Sequence, residues 1–96
     1  MSKTRKDLII SKYQEFQDIL KTKFNLSGLF PSLEDIDLVD MLYFFNLKFT
    51  SDDIETRKAT IKEISEMCKI EIPDDKFDEA FECINEYIDF MKKVQN

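Results

Sequence analysis

The acidic residues near the C-terminus are the most regularly spaced group in this chain whose side chains could take part in chemistry. They recur three or four residues apart, which places them within an arc of about 100° on one side of a helix. They are Asp75, Asp78, Glu79, Glu82, Glu86 and Asp89. Carboxylates can act as general acids and bases, bind cations or attract a basic protein. The pattern therefore indicates either a solvated helix face or a docking strip for a basic partner.

The composition argues against most catalytic chemistry. The chain has no histidine, which removes the commonest general base, the usual catalytic triads and the mixed cysteine–histidine zinc sites. Gly28 is the only glycine, so no glycine-rich phosphate loop can form. The acidic stretches at 35–37 and 52–55 lack the glycine and the final glutamate of a calcium-binding loop, and we interpret them as helix starts. We expect a protein that is not an enzyme and that uses no metal or cofactor.

A second candidate surface lies on the most apolar segment of the chain, residues 38–49, which only three polar residues interrupt. A helix that is apolar nearly all round is normally enclosed by its neighbours, so we predict that this helix is buried on two sides. Its narrow remaining sector carries an aromatic side chain among charged ones: Asp37, Asp40, Phe44 and Lys48. Such an arrangement is typical of a binding hot spot. Packing beneath the loop at 29–30, or against a second copy of the chain, is the alternative.

Four helices are predicted to position these surfaces. Apolar residues spaced three and four apart predict helices at about 5–24, 33–47, 51–69 and 74–94, in an all-α four-helix bundle or a compact orthogonal array. The broad apolar faces of the second and fourth helices suggest that these two form the inner pair. Alternation at 47–50 and 70–73 would also fit two short paired strands, but entry into the following helix is the favoured interpretation. The 96 residues make one domain over 1–96, and we expect 1–4 and 95–96 to fray.

Cysteine usage and hydropathy indicate the compartment. In an antiparallel pair of helices, Cys68 and Cys83 would lie too far apart for a disulfide, which agrees with a reducing environment. The longest apolar run is far shorter than a membrane span. We expect a cytoplasmic protein, or one that works inside the host cell if it is viral, with no membrane partner.

Charge narrows the expected partners. The formal net charge is −6, and an acidic body disfavours direct binding to nucleic acid while it favours basic protein surfaces. We expect a small acidic interaction module that acts as an adaptor or stoichiometric inhibitor, such as a viral or plasmid regulator or an immunity-type protein, and that can form a homodimer. One alternative is a nucleic-acid mimic that blocks a DNA- or RNA-binding enzyme through the acidic face of the fourth helix. A third hypothesis is nucleic-acid binding by the basic N-terminal residues Lys3, Arg5 and Lys6.

Overall fold

The computed structural model describes residues 4–95, which form four α-helices and no strand. These are α1 (Arg5–Phe24), α2 (Leu38–Lys48), α3 (Ile54–Met67) and α4 (Asp74–Gln95). Helix α4 packs against each of the others, most extensively against α1. The predicted all-α fold is confirmed, and the segments at 47–50 and 70–73 are helix ends and connections rather than paired strands. Residues 1–3 and 96 lie outside the described residues, and so do the parts of the fraying and N-terminal binding predictions that concern them.

Local capping fixes both ends of α1 where the sequence pattern places them. The backbone N–H of Asp7 donates to Thr4 Oγ1 at 3.1 Å, and the backbone N–H of Thr4 donates to Asp7 Oδ2 at 3.4 Å. This reciprocal pair is a capping box, which satisfies donors that the first helical turn leaves free. At the other end, Asn25 adopts a left-handed conformation with φ of 55°, and an asparagine in this position commonly ends a helix.

The starts of α2 and α3 differ from the sequence prediction because other residues cap them. Helix α2 begins at Leu38 rather than at residue 33, since the carboxylate of Asp37 accepts the backbone N–H of Asp40 at 2.8 Å. The turn that follows Ser32 is isolated and does not continue into the helix. Helix α3 begins at Ile54 rather than at 51 because Asp53 accepts the backbone N–H of Thr56 at 2.9 Å. Each cap is an aspartate, which also suits the positive end of the helix dipole.

The core between the helices is largely aromatic, with Phe45 of α2 at its centre. Its ring lies 5.6 Å from the ring of Tyr87 and 6.2 Å from that of Tyr13, both edge-on. It stacks on Phe30 at 5.5 Å and on Phe49 at 5.8 Å. Stacked and edge-to-face pairs at these distances add to the free energy gained by burial. Phe45 therefore joins α2 to α1, to α4 and to the 25–37 connection.

The prediction that α2 is a central helix buried on two sides is wrong. Met41 and Phe45 are buried, but Val39, Tyr43 and Leu47 are 72%, 66% and 59% exposed. Helix α2 has only 11 residues and packs along one side, so the rest of its circumference has no neighbour to cover it. The most extensive helix pair is α1 with α4, not α2 with α4.

Two buried tyrosines in the core differ in their hydrogen bonding. The hydroxyl of Tyr13 donates to the carbonyl oxygen of Pro31 and accepts from Gln17 Nε2 at 3.2 Å. The hydroxyl of Tyr87 is buried with no hydrogen-bond partner among residues 4–95. Burial raises the pKa of both tyrosines well above the ordinary value of 10.0, so both hydroxyls stay protonated at neutral pH.

This difference predicts opposite effects of removing the two hydroxyls. Tyr87→Phe should raise the free energy of unfolding by about 1 kcal/mol, because it removes a desolvated group that gains nothing in return. Tyr13→Phe should lower it by about 1 kcal/mol, because it removes the hydrogen bonds that the hydroxyl makes with the Pro31 carbonyl and with Gln17, while Gln17 Nε2 still donates to that carbonyl at 3.1 Å. Urea denaturation followed by circular dichroism measures both. A clear loss of stability in Tyr87→Phe would show that its hydroxyl has a partner after all.

Candidate functional site

The six acidic residues predicted on α4 are all exposed, but the structure divides them into two groups. Asp89 Oδ1 accepts from Arg57 Nη1 at 2.8 Å, and Asp78 Oδ1 lies 3.8 Å from Lys58 Nζ. Both cations belong to α3, so α3 neutralises the edge of the acidic face that it borders. The remaining four form no salt bridge within the described part of the chain: Asp75, Glu79, Glu82 and Glu86. The acidic face available to a partner is therefore narrower than the sequence pattern suggests.

Sequence reasoning missed the function of Arg57, which lies on the core side of α3 and is only 2% exposed. Its guanidinium donates hydrogen bonds to the Ser51 carbonyl oxygen at 3.0 Å, Asn85 Oδ1 at 2.6 Å, Asp89 Oδ1 at 2.8 Å and Asp52 Oδ1 at 3.0 Å. The only signal in the sequence is a cation placed on the thin apolar stripe of α3. Its partners come from the 49–53 connection and from α4, so the cluster holds both against α3. This is structural chemistry, and it occupies one of the acidic residues proposed for partner binding.

A second cation supports the same cluster. Lys92 Nζ lies 2.9 Å from Asp52 Oδ1, so the Asp52 carboxylate bridges Lys92 and Arg57. The Lys92 ammonium, followed by the Arg57 guanidinium, holds the pKa of the Asp52 carboxyl below its ordinary value of 3.8. Asp52 therefore remains ionised at neutral pH and keeps the 49–53 connection attached to α4.

The predicted aromatic anchor of α2 lies at the edge of the core rather than free in solvent. Phe44 is half-buried and contacts Phe30 and Phe45 edge-on, with ring centroids 6.3 and 5.6 Å away. Its other side lines an apolar cleft of about 240 Å³ between α2, the 28–31 loop and the end of α3. Lys48 lines the same cleft, and Met67 stands on its far side, 68% exposed. Packing beneath the loop thus accounts for one side of Phe44, while the other side remains accessible.

The other two residues predicted on this sector, Asp37 and Asp40, are exposed at the start of α2. Between them and Lys48 runs the apolar stripe of Val39, Tyr43 and Leu47, which sequence reasoning assigned to the buried interior. We call the combined surface the α2 face, and it consists of Asp37, Val39, Asp40, Tyr43, Phe44, Leu47 and Lys48. The sequence did contain a signal for this exposure. A helix whose circumference is almost wholly apolar needs neighbours on most sides, and a domain with only three other helices cannot supply them.

The surroundings of the α2 face carry both signs of charge. A shallow groove of about 560 Å³ separates Val39 and Tyr43 from the start of α1, where Arg5 and Lys6 line it. The acidic residues of α4 point away from this surface, because α2 packs against the apolar side of α4 through Phe45. The two candidate surfaces thus lie on opposite sides of the domain and differ in chemistry.

The remaining features considered in the sequence are the two cysteines, the acidic stretches and the membrane-spanning potential of the helices. Cys68 is exposed and Cys83 is half-buried, and both are free thiols; burial raises the pKa of Cys83. Residues 4–95 contain no group of three or more potential ligands that could hold a metal ion. None of the helices in that range is both long enough and apolar enough to cross a membrane.

The α2 face thus presents apolar side chains with a charged border, whereas the acidic face of α4 presents carboxylates alone. Comparison of the chain with known protein families, curated proteins and solved structures finds no match.

Proposed function

We propose that this protein is a non-catalytic protein–protein interaction module, an adaptor or stoichiometric inhibitor, and that the α2 face is its contact surface. The observation that carries this proposal is the exposure of Val39, Tyr43 and Leu47, which is 72%, 66% and 59%. Folded monomers rarely leave a contiguous apolar patch of large side chains in water, and such patches mark interaction sites. Single exposed apolar residues would need no explanation, but these three follow one line on one helix.

The arrangement of the α2 face supports the same proposal. Interfaces commonly have an apolar centre with aromatic residues and a charged rim. Tyr43 supplies a large ring with a polar tip, a residue type enriched among side chains that carry most of the binding energy. Asp40 lies beside the start of the stripe, and Lys48 lies one turn after Phe44 on the cleft side of α2; such charged residues at a rim fix the register of a partner.

The acidic face of α4 has a lesser part in this proposal. Its four unpaired carboxylates would attract a basic partner and speed its association, an effect that salt weakens. A nucleic-acid mimic would instead depend on this face for its affinity. The use of Asp89 within the Arg57 cluster leaves fewer carboxylates to imitate a row of phosphates.

Binding by paired surface variants tests the proposal. The protein is used as bait in an extract of its native cells, and the amount of each recovered partner is compared with that of the wild type. The double variant Tyr43→Ser/Leu47→Ser should reduce recovery at least about tenfold, because it removes the apolar centre of the surface. The matched double variant Glu82→Gln/Glu86→Gln should reduce it by less than about threefold and weaken its salt dependence.

Tyr43 and Leu47 are chosen so that a loss of binding is not caused by a loss of folding. Phe44 packs on Phe30 and Phe45, so its truncation would also destabilise the domain. The opposite order of effects, with binding lost only in the carboxylate variant, would contradict the proposal and favour the nucleic-acid mimic.

A further inference from the structure

We infer that the α2 face binds the α2 face of a second copy of this chain, with the two helices antiparallel and related by a twofold axis. This inference rests on the proposed function, in which the α2 face is a contact surface, and it names the occupant.

The charges along α2 complement those of the same helix in reversed orientation. Asp37 and Asp40 lie at its N-terminal end and Lys48 at its C-terminal end. Asp40 and Lys48 are about 12 Å apart along the helix axis, with Phe44 midway between them. An antiparallel pair that crosses near Phe44 places Asp40 of each copy beside Lys48 of the other. A parallel pair would place like charges together.

Both charged residues are available for this contact. Neither Asp40 nor Lys48 forms a salt bridge with any residue in the described range. Asp40 is exposed, and Lys48 is half-buried along the Phe44 cleft. A twofold axis uses each contact twice, so the pairing contributes two symmetric ion pairs from a single pair of residues.

The apolar area is suitable for a dimer of modest size. Val39, Tyr43, Leu47 and Met67 together expose on the order of 400 Å² of apolar surface per chain, against ~800 Å² of total surface per partner in a standard interface. Apolar atoms make up roughly 57% of such interfaces. The α2 face together with the neighbouring Met67 of α3 thus supplies about the apolar share that an interface of standard size needs, and the charged residues and the adjacent grooves supply the rest.

Long-range charge opposes self-association least on this surface. The whole chain carries a net charge of −6, which would oppose self-association through the acidic side of α4. The α2 face contains Asp37 and Asp40 and is bordered by Arg5 and Lys6, so a strongly basic partner gains little there. Contact through α2 keeps the two acidic α4 faces apart.

A charge-exchange experiment tests the antiparallel dimer. Sedimentation equilibrium of the purified chain should show a monomer–dimer equilibrium. Asp40→Lys and Lys48→Asp should each raise the dissociation constant at least about tenfold, because each places two like-charged pairs in the interface. An equimolar mixture of the two variants should restore association to within about threefold of the wild type, since every contact in the mixed dimer again joins opposite charges.

Controls separate this inference from folding and from the proposed function. Far-ultraviolet circular dichroism confirms that each variant is folded, and Tyr43→Ser provides a second disruption that leaves the charges intact. A wild-type monomer at every concentration, variants that associate normally, or a mixture that fails to associate would each overturn the antiparallel dimer. If the wild type is monomeric but Tyr43→Ser/Leu47→Ser still loses a recovered partner, the proposed function stands without the dimer.

Discussion

Replacing Arg57 with alanine should lower the free energy of unfolding by about 2–4 kcal/mol. The guanidinium is almost wholly buried and donates to two carboxylates, an amide oxygen and a backbone carbonyl. Its removal leaves Asn85 and the Ser51 carbonyl without their donor and frees the 49–53 connection from α4. The loss exceeds that of an exposed ion pair because the buried Arg57 side chain also packs against its neighbours, and because Asn85 and the Ser51 carbonyl lose charge-assisted hydrogen bonds. The carboxylates of Asp52 and Asp89 are largely exposed and return to water. Guanidinium or urea denaturation measures the loss.

Two neighbouring substitutions provide controls for Arg57. Lys58→Ala should cost no more than about 1 kcal/mol, since its ion pair with Asp78 is 3.8 Å long and largely exposed. Arg57→Lys should lower the free energy of unfolding by less than Arg57→Ala and by more than Lys58→Ala. An ammonium keeps the positive charge but cannot reproduce the planar arrangement of donors of a guanidinium. If Arg57→Ala cost less than Lys58→Ala, the cluster would not hold the helices together.

The Arg57 cluster should also give stability a dependence on acid. The pKa of Asp52 is lower in the folded chain than its ordinary value of 3.8. Its contribution is therefore fully present above that value and is lost as the pH falls through the folded-state pKa. Because the Lys92 ammonium is the main cause of the lowered pKa of Asp52, the difference in stability between the wild type and Lys92→Ala should shrink as the pH falls below 3.8, as measured by urea denaturation at each pH.

Phe45→Ala should lower the free energy of unfolding by a similar amount, about 3–5 kcal/mol. The Phe45 ring contacts aromatic rings from α1, from α4 and from the 25–37 connection, and it is 3% exposed. Its truncation leaves a cavity that rigid rings on several sides cannot close, so the lost contacts are not replaced. Chemical denaturation of the purified variant gives the value.

Tyr43 provides the matched control on the same helix. Because Tyr43 is 66% exposed in the isolated chain, Tyr43→Ala should change the free energy of unfolding by no more than about 0.5 kcal/mol at protein concentrations where the chain is monomeric. Comparison of the two variants thus distinguishes the contribution of the inner side of α2 to stability from that of its outer side. Equal losses from Phe45→Ala and Tyr43→Ala would mean that the outer side is packed within the isolated chain, which would remove the basis of the proposed surface.

The helical fold was accessible from sequence because its signals are local. The apolar spacing of α1 and α4 defines both helices within a residue of their observed ends, since each has a long stripe and clear flanking residues. The start of α2 was less accessible, because Ser32 and Asp37 are both suitable caps and only the packing of the 25–37 connection selects Asp37. The predicted end of α3 at residue 69 extends past Met67 for a related reason: Lys69 adopts a positive φ of 57°, which the sequence pattern does not reveal.

The candidate surfaces depended on packing between helices, which periodicity alone does not determine. A hydrophobic stripe indicates which side chains can be buried but not how many neighbours are present to cover them. For this reason Val39, Tyr43 and Leu47 were placed inside, although the structure leaves them exposed. Likewise, the regular carboxylates of α4 gave no sign that α3 engages Asp78 and Asp89. The sequence could identify the groups but not their partners.

Position-specific photo-crosslinking in the native cell tests the contact surface most directly. A photoreactive phenylalanine analogue is placed at Tyr43 in one variant and at Glu82 in another, so that each surface reports its own contacts. We predict covalent products from position 43, including one of twice the mass of the chain, and far fewer products from position 82. Products from position 82 with none from position 43 would contradict the assignment of the α2 face as the contact surface.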